Sequence, residues 1–199
     1  MLLPAAGCIR AGRRELAGRD DRAPRGGADR AGQRRHRDVP GAGHQPGRGR
    51  RQLAVAIVLP EPVKRDFNEA FAEGHPIVVA GVTADGEPTV SLRGTAQTLG
   101  DSAVAFWTRD AAGSTLVASL ETHPMVVCVY SNMAERRFYQ FKGRARLNDD
   151  PEIDRTVYDN SHELEQQRDP ERKGKAIVVE LTSVRGRGVD GPFLLESNE

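Results

Sequence analysis

From Leu53 onward the chain alternates between short apolar runs and turn-forming residues, and the period of each run assigns it to a helix or a strand. In PEPVKRDFNEAFAEG (Pro60–Gly74), Val63, Phe67 and Phe71 recur every fourth residue, which is one face of a helix, and Gly74 is placed to end it. PIVVAGVT (Pro76–Thr83) reads as a strand, ADGEP as a turn built on Asp85-Gly86, and PTVSLRGTAQTL (Pro88–Leu99) as the returning strand. Gly100-Asp101 turns the chain into SAVAFWTR (Ser102–Arg109), a third strand. A helix from about Ser114 to Glu121 follows, and Thr122-His123-Pro124 ends it, because the residue before a proline is pushed out of the helical region. MVVCVYS (Met125–Ser131) is almost continuously apolar, the pattern of a central strand buried on both faces. RRFYQFKGRARL (Arg136–Leu147) alternates, and Gly143 within it is predicted to mark a bulge or a close backbone approach.

Two further elements complete the pattern. NDDPEIDRTVYDNS (Asn148–Ser161) reads as a helix capped by Asp149 or Asp150 ahead of Pro151, with Ile153 and Val157 on its apolar face. AIVVELTSVRG (Ala176–Gly186) is the last predicted strand. Between them HELEQQRDPERKG (His162–Gly174) is expected to be a solvated charged stretch, and VDGPFLLESNE is a tail that either packs or frays. The sum is six strands and three or four short helices, with most adjacent strands joined by turns. That predicts a mainly β (α+β) fold: a largely antiparallel, six-stranded sheet, split and curled toward a small barrel, with short flanking helices. A parallel doubly wound fold would need a helix after nearly every strand, and GxxxxGK[ST] does not occur.

Composition changes this picture chiefly at the N-terminus. Residues 1–51 hold 13 Arg against 5 acidic residues, +8, whereas residues 52–199 carry −7, so the net charge of +1 hides a division. The arm over residues 1–52 has no Lys, no aromatic residue and no sustained periodicity, and is expected to be disordered. Three readings are open for it: a basic arm touching nucleic acid through RRHR (Arg34–Arg37), a tail without a role, or sequence ahead of a true start near Val55. Nucleic acid is not expected as a partner beyond this arm. The ordered domain is predicted over residues 53–190, with residues 191–199 as the tail. The two cysteines, Cys8 and Cys128, have no CxxC partner, and no disulfide or cysteine-based zinc site is expected. No run approaches the length of a membrane-spanning helix, and a cytoplasmic setting is expected.

The candidate chemistry lies in FWTRDAAGST (Phe106–Thr115), where a strand end meets a helix start. Free N–H groups at such a start favour anions, the Ser114 and Thr115 hydroxyls add donors, and Arg93 or Arg109 can supply charge. Ser114 is equally readable as an ordinary N-cap, and Trp107, the single tryptophan, as a core aromatic. His75 and His123 each precede a proline and read as turn residues. No Ser-His-Asp or Cys-His constellation is present, so no acid, base or nucleophile is named.

Four segments in order carry a resemblance. HPIVVAGVTADGEPTVSLRG, FWTRDAAGSTLVASLETHPMVVCVY, RRFYQFKGRARL and AIVVELTSVRG, together about residues 75 to 186, are similar to the hairpin, phosphate-site helix and following strands of the pyridoxamine 5'-phosphate oxidase-like, FMN-binding split-barrel family. The resemblance implies a homodimer with flavin (FMN) in a groove between subunits, and an oxidoreductase transferring hydride to or from a small-molecule substrate. It places Ser91 and Arg93 on the strand that contacts FMN. Trp107 and Thr108 match an aromatic-Thr pair beside the flavin, with Arg109 adjoining. Ser114 and Thr115 stand at the phosphate, and Gln140, to within two residues, on the strand lining the ring. The chain departs from the family's pattern where Thr115 and Leu116 replace basic residues after the serine, and in lacking the C-terminal Trp and Arg motif of true pyridoxamine phosphate oxidases. Those departures keep two alternatives open: a deazaflavin-coenzyme-dependent reductase, and a non-catalytic flavin- or haem-binding stress-related protein.

Overall fold

The structure, a computed structural model, describes residues 56–197, so the expectations for residues 1–52 lie outside the described residues. Helix α1 (Glu61–Glu69) begins behind Pro60 and is followed by β1 (Ile77–Val82), β2 (Pro88–Arg93), β3 (Gln97–Leu99) and β4 (Ala103–Thr108). Helix α2 (Thr115–Ser119), β5 (Met125–Asn132) and β6 (Arg137–Leu147) come next. Helices α3 (Pro151–Asp159) and α4 (Glu163–Gln166) precede β7 (Lys175–Gly188) and β8 (Gly191–Glu196). All pairings are antiparallel, in the order β2-β1-β5-β6-β7-β4-β3, with β8 also on β7.

This order forces the sheet to curl. Strands β2 and β3 stand at opposite ends of it, yet only Gly94–Ala96 joins them, so the two edges lie within about 14 Å of one another along an extended chain. The result is a mainly β, curled antiparallel half-barrel of the split-barrel kind, as the pattern predicts. It has eight strands among the described residues, rather than six. One extra strand arises because Pro88–Leu99 is two strands and not one. After Arg93 the chain leaves β1, and the Thr95 hydroxyl bonds the backbone of Trp107 on β4 (2.9 Å from Trp107 N, 3.4 Å to Trp107 O), which draws β3 to the other edge. The second is β8. The sequence from Val189 packs rather than frays, because β7 is 14 residues long and β4 covers one edge only through Glu180, leaving Ser183–Gly188 for β8 to pair.

The inner face of the curl is the main core: Phe67, Ile77, Val79, Phe106, Cys128, Tyr130, Tyr139, Phe141, Ile177, Val179 and Val184 are buried there. The helical spacing places Val63 and Phe67 correctly, and the Phe67 ring meets Phe141 edge-on at 4.6 Å. Phe71 departs from the prediction. Helix α1 ends at Glu69, and Phe71 lies in the turn that Gly74 (φ +81°) closes, where the side chain faces two surface clefts. A second, smaller core joins the outer face of β4 and β7 (Ala105, Trp107, Ala176, Val178) to Val157 and Tyr158 of α3, which Asp150 caps. Burial on both faces therefore belongs to β4 and the first half of β7. It does not belong to β5, whose Val126, Cys128 and Tyr130 are buried while Val127 and Val129 on the other face are half-exposed.

Gly143 carries the predicted bulge: the β6–β7 register shifts between Lys142 and Gly143. A Cβ there would overlap the Glu180 carbonyl oxygen and lie 2.8 Å from Val179 Cγ1, so neither strand can yield without breaking the ladder. Gly143→Ala is expected to lower stability by about 1–3 kcal/mol, read as a fall in Tm; an unchanged Tm would show that the bulge relaxes freely.

Candidate functional site

The split in the barrel places the end of β2 against the start of α2. The pairings Ile77↔Arg93 and Val79↔Ser91 set both β2 side chains on the same face of the sheet as the buried Ile77 and Val79. Facing them, the loop after β4 is shaped by Asp110, whose Oδ1 accepts the Gly113 N–H (2.8 Å). Ser114 then caps α2, its Oγ accepting from Val117 N at 3.3 Å, so the ordinary capping role is present. Leu116 is buried against β1, which leaves the Ser114 and Thr115 end of the helix at the surface. Ser91, Arg93, Ser114 and Thr115 converge on one cleft of about 180 Å³. Arg93, Thr108, Arg109 and Ser114 line a second, wider one of about 450 Å³.

Arg93 is the centre of this arrangement. Its guanidinium lies 5.1 Å from the Phe106 ring centroid, and its Nε is buried without a hydrogen-bond partner among the described residues. Burial, followed by the like charge of Arg109, holds the guanidinium below its usual range. Neither Arg93 nor Arg109 forms an ion pair among the described residues. Two guanidinium groups without a direct carboxylate partner, beside hydroxyl donors, make a place for a phosphate or carboxylate, which Arg binds in bidentate fashion.

Two residues expected at this site turn their side chains away from the Arg93 and Ser114 cleft within one chain. The Trp107 indole is in the second core, edge-on to Tyr158 (5.4 Å between centroids), and its Nε1 donates to Asp169 Oδ2 at 2.8 Å. The core-aromatic reading therefore describes the ring, while Trp107 also borders a third opening of about 250 Å³. Gln140 lies on the opposite face of the sheet, in register with Val129 and with Arg185. Its Oε1 accepts from Arg185 Nε at 2.7 Å. Within one chain it does not meet Arg93 or Ser114.

The sequence reading missed the contribution of residues 162–174. This stretch is not simply solvated: Asp169 is buried and accepts from Trp107 Nε1, Lys173 N (3.0 Å) and Gly174 N (2.9 Å), and Arg168 lines two of the clefts. The Asp169-Pro170 pair, a turn signal, marked the bend. Nothing in the sequence linked it to a tryptophan 62 positions earlier. His75 and His123 are turn residues as expected, their N–H groups bonded to Ala70 O and Ser119 O at 2.7 Å each. Among the described residues no group of three or more His, Cys, Asp or Glu is placed to hold a metal ion, and no helix is long and apolar enough to cross a membrane.

Comparison with solved structures places the fold. A pyridoxamine 5'-phosphate oxidase-related, FMN-binding protein of Nostoc punctiforme PCC 73102 matches with a TM-score of 0.51 and 13% identity, over 67% of this chain and 86% of that one. HupZ of Group A Streptococcus matches with a TM-score of 0.50 and 13% identity, over 65% of this chain and 97% of its own. At these identities the likeness is one of fold. No curated protein matches the chain. The family model for pyridoxamine 5'-phosphate oxidase matches residues 64–190, well over half of the 199 residues, from within α1 to just past the end of β7. By that match and by its split-barrel fold, the chain belongs to the pyridoxamine 5'-phosphate oxidase family.

Proposed function

We propose that the protein binds FMN and acts as a flavin-dependent oxidoreductase on a small molecule. The observation that supports this most directly is Arg93, whose Nε is buried without a partner and which lines the cleft shared with Ser91, Ser114 and Thr115. A phosphate there would accept a charge-assisted hydrogen bond from Arg93, hydroxyl bonds from Ser91, Ser114 and Thr115, and bonds from the first N–H groups of α2, which have no partner within a helix. Helix α2 has five residues, so its dipole adds little and the charge must come from arginine. Arg93 and Arg109 thus stand in for the basic residues that Thr115 and Leu116 replace. Bound FMN would supply two-electron hydride chemistry; the chain's part is to hold and orient it in a positive field.

The same reading includes a homodimer. Val90 and Leu92 (each 66% exposed) and Phe138 (43%) lie on the face of the sheet that also carries Val127, Val129 and Gln140. A second copy covering this apolar strip would bury it and would bring its Gln140 toward a cofactor that one chain alone cannot place beside Gln140.

The test is the absorbance spectrum of the purified protein, mass analysis of any released cofactor, and FMN titration of Arg93→Ala and Ser114→Ala. Flavin is expected. Each substitution should weaken FMN by about 1–3 kcal/mol, the loss of one hydrogen bond to a charged group. A protein that carries no flavin and ignores added FMN would overturn the proposal, and a released deazaflavin or haem would replace the cofactor. Unchanged affinity in both variants would move the phosphate elsewhere.

A further inference from the structure

Beside the second core, a cleft of about 330 Å³ opens between the start of α3 and the segment 172–175 that leads into β7. It shares no lining residue with the two clefts at Ser114. Four cations surround it: Arg155 from α3, and Arg172, Lys173 and Lys175 from the segment before and at the start of β7. Asp154 is the one carboxylate among its lining residues, and Trp107 reaches it from β4. The segment is not a loose loop. Asp169 accepts the N–H groups of Lys173 and Gly174, and a Cβ on Gly174 would overlap the Thr108 carbonyl oxygen and Trp107 Nε1. Its backbone is therefore pressed against β4, and the cations are presented from a fixed base.

One of these cations is held at a conformational cost. Arg172 has a φ of +54°, the left-handed region that glycine takes freely and most side chains avoid. Its N–H donates to Asp169 O at 3.0 Å, and its guanidinium lies 4.4 Å from the Tyr158 ring centroid while pairing with Asp159 at 2.8 Å. Strained backbone under a fixed, charged side chain points to a use for that side chain. The charges around the cleft are only loosely balanced. Arg155 pairs with Glu152, Arg172 with Asp159 and Lys173 with Glu171, but these three acids are exposed and none lines the cleft, so the pairs are weak ones in water. Asp154 does line it, and its carboxylate already accepts from Asn148 Nδ2 (2.9 Å), Ala176 N (3.0 Å) and Lys175 Nζ (2.9 Å).

We propose that this cleft binds a diphosphate group, free or as the end of a nucleoside diphosphate. Cations that come from two separate elements suit an anion whose charge is spread over two adjacent groups, and Arg155, Arg172 and Lys173 can each leave an exposed acid to make a charge-assisted hydrogen bond with it. The arginines still have N–H groups to offer beside their carboxylate bonds, since a guanidinium carries five. The cleft is open to solvent, so a substituent on the diphosphate would project outward. This inference does not rest on the FMN reading, because none of the residues assigned to the phosphate of FMN takes part.

The full-length protein is titrated with pyrophosphate, ADP and orthophosphate, with and without saturating FMN, by calorimetry and by the fluorescence of Trp107, the single tryptophan. Pyrophosphate or ADP should bind, at least about tenfold more tightly than orthophosphate, and the tighter of the two separates a free from a nucleoside-linked diphosphate. FMN should leave that affinity unchanged. Arg155→Gln, at an exposed position, and Arg172→Gly should each weaken binding by at least about tenfold. Glycine adopts the left-handed backbone freely, so Arg172→Gly removes the guanidinium and keeps the segment in place. The site is overturned if neither diphosphate binds, if orthophosphate binds equally well, if both variants bind as the wild type does, or if FMN displaces the anion. If the protein takes up no FMN, the titrations without it decide the diphosphate site by themselves, so the two readings fail separately.

Discussion

Replacing Asp66 with alanine is expected to cost up to about 3–5 kcal/mol of folding stability, the range for removing one partner of a buried ion pair. Asp66 lies on the inner face of α1 between Val63 and Phe67, at 3% exposure, and both of its oxygens are engaged. Arg137 Nη1 donates to Oδ1 and the Tyr139 hydroxyl to Oδ2, each at 2.7 Å. Arg137 also pairs with Glu135. Tyr139 is stacked on Tyr130 with 5.2 Å between ring centroids, and burial together with the Asp66 bond pushes its phenol up, so it remains a proton donor. Alanine would leave the Tyr139 phenol without its acceptor and the Arg137 guanidinium with Glu135 alone. Asp66→Asn keeps an acceptor and loses the charge, so its loss should be smaller. Urea unfolding checks this as a fall in Cm at constant m. The comparison is Lys64→Ala on the exposed side of the same helix, where the pairs with Glu61 and Asp101 are surface pairs worth under about 1 kcal/mol. Equal, small losses at both positions would mean that water reaches Asp66.

Asp169→Ala is the second large effect. Its carboxylate gathers the Trp107 indole N–H and two backbone N–H groups, and the Tyr158 hydroxyl donates to its carbonyl at 2.9 Å. Losing the carboxylate leaves those donors to the protein interior at about 1–3 kcal/mol for a buried unsatisfied group, and about 2–4 kcal/mol for the set, since such losses do not add fully. The effect should depend on pH. Burial pushes the Asp169 carboxyl up, but the hydrogen bonds from Trp107, Gly174 and Lys173 and the charge of Arg109 outweigh it and hold the group below its ordinary value of 3.8. Asp154 is held low in the same way: burial is outweighed by bonds from Asn148, Ala176 and Lys175. For a carboxylate whose native value is depressed, the stabilisation is fully present above the ordinary value and is lost as pH falls through the native one. Wild type and Asp169→Asn should therefore differ most at neutral pH and converge below about pH 4. The fluorescence of Trp107, the single tryptophan, reads the unfolding directly. A gap that persists at low pH would show that the contribution of Asp169 is not that of its ionised form.

Much of the architecture is legible in local pattern, because local physics decides it. The period of four at Val63 and Phe67, the turn at Asp85-Gly86, the alternation along Arg137–Leu147 and the cap at Asp150 each depend on residues within one turn or one hairpin. So did the approximate address of the candidate site, since Ser114 caps α2 whatever else it does. Gly143 was legible for the same reason: a glycine inside an alternating strand has few roles besides a bulge or a close approach.

What tertiary structure alone decided are matters of which face and which neighbour. The break at Gly94–Thr95 depends on a hydroxyl reaching the backbone of Trp107, twelve residues away. The charged stretch became a wall of the site because Asp169 finds an indole 62 residues distant. Gln140 and Arg93 sit on opposite faces of the sheet because the register between β1, β5 and β6 puts them there. Arg93, Arg109 and Arg168 come from three separate segments, the end of β2, the loop after β4 and the turn after α4, and only the closure of the curl gathers them. By itself, the sequence determined the elements and the chemical types they carry, through short-range sterics and periodicity. Strand order and register, which are set by long-range burial, decided which of those residues share a cleft.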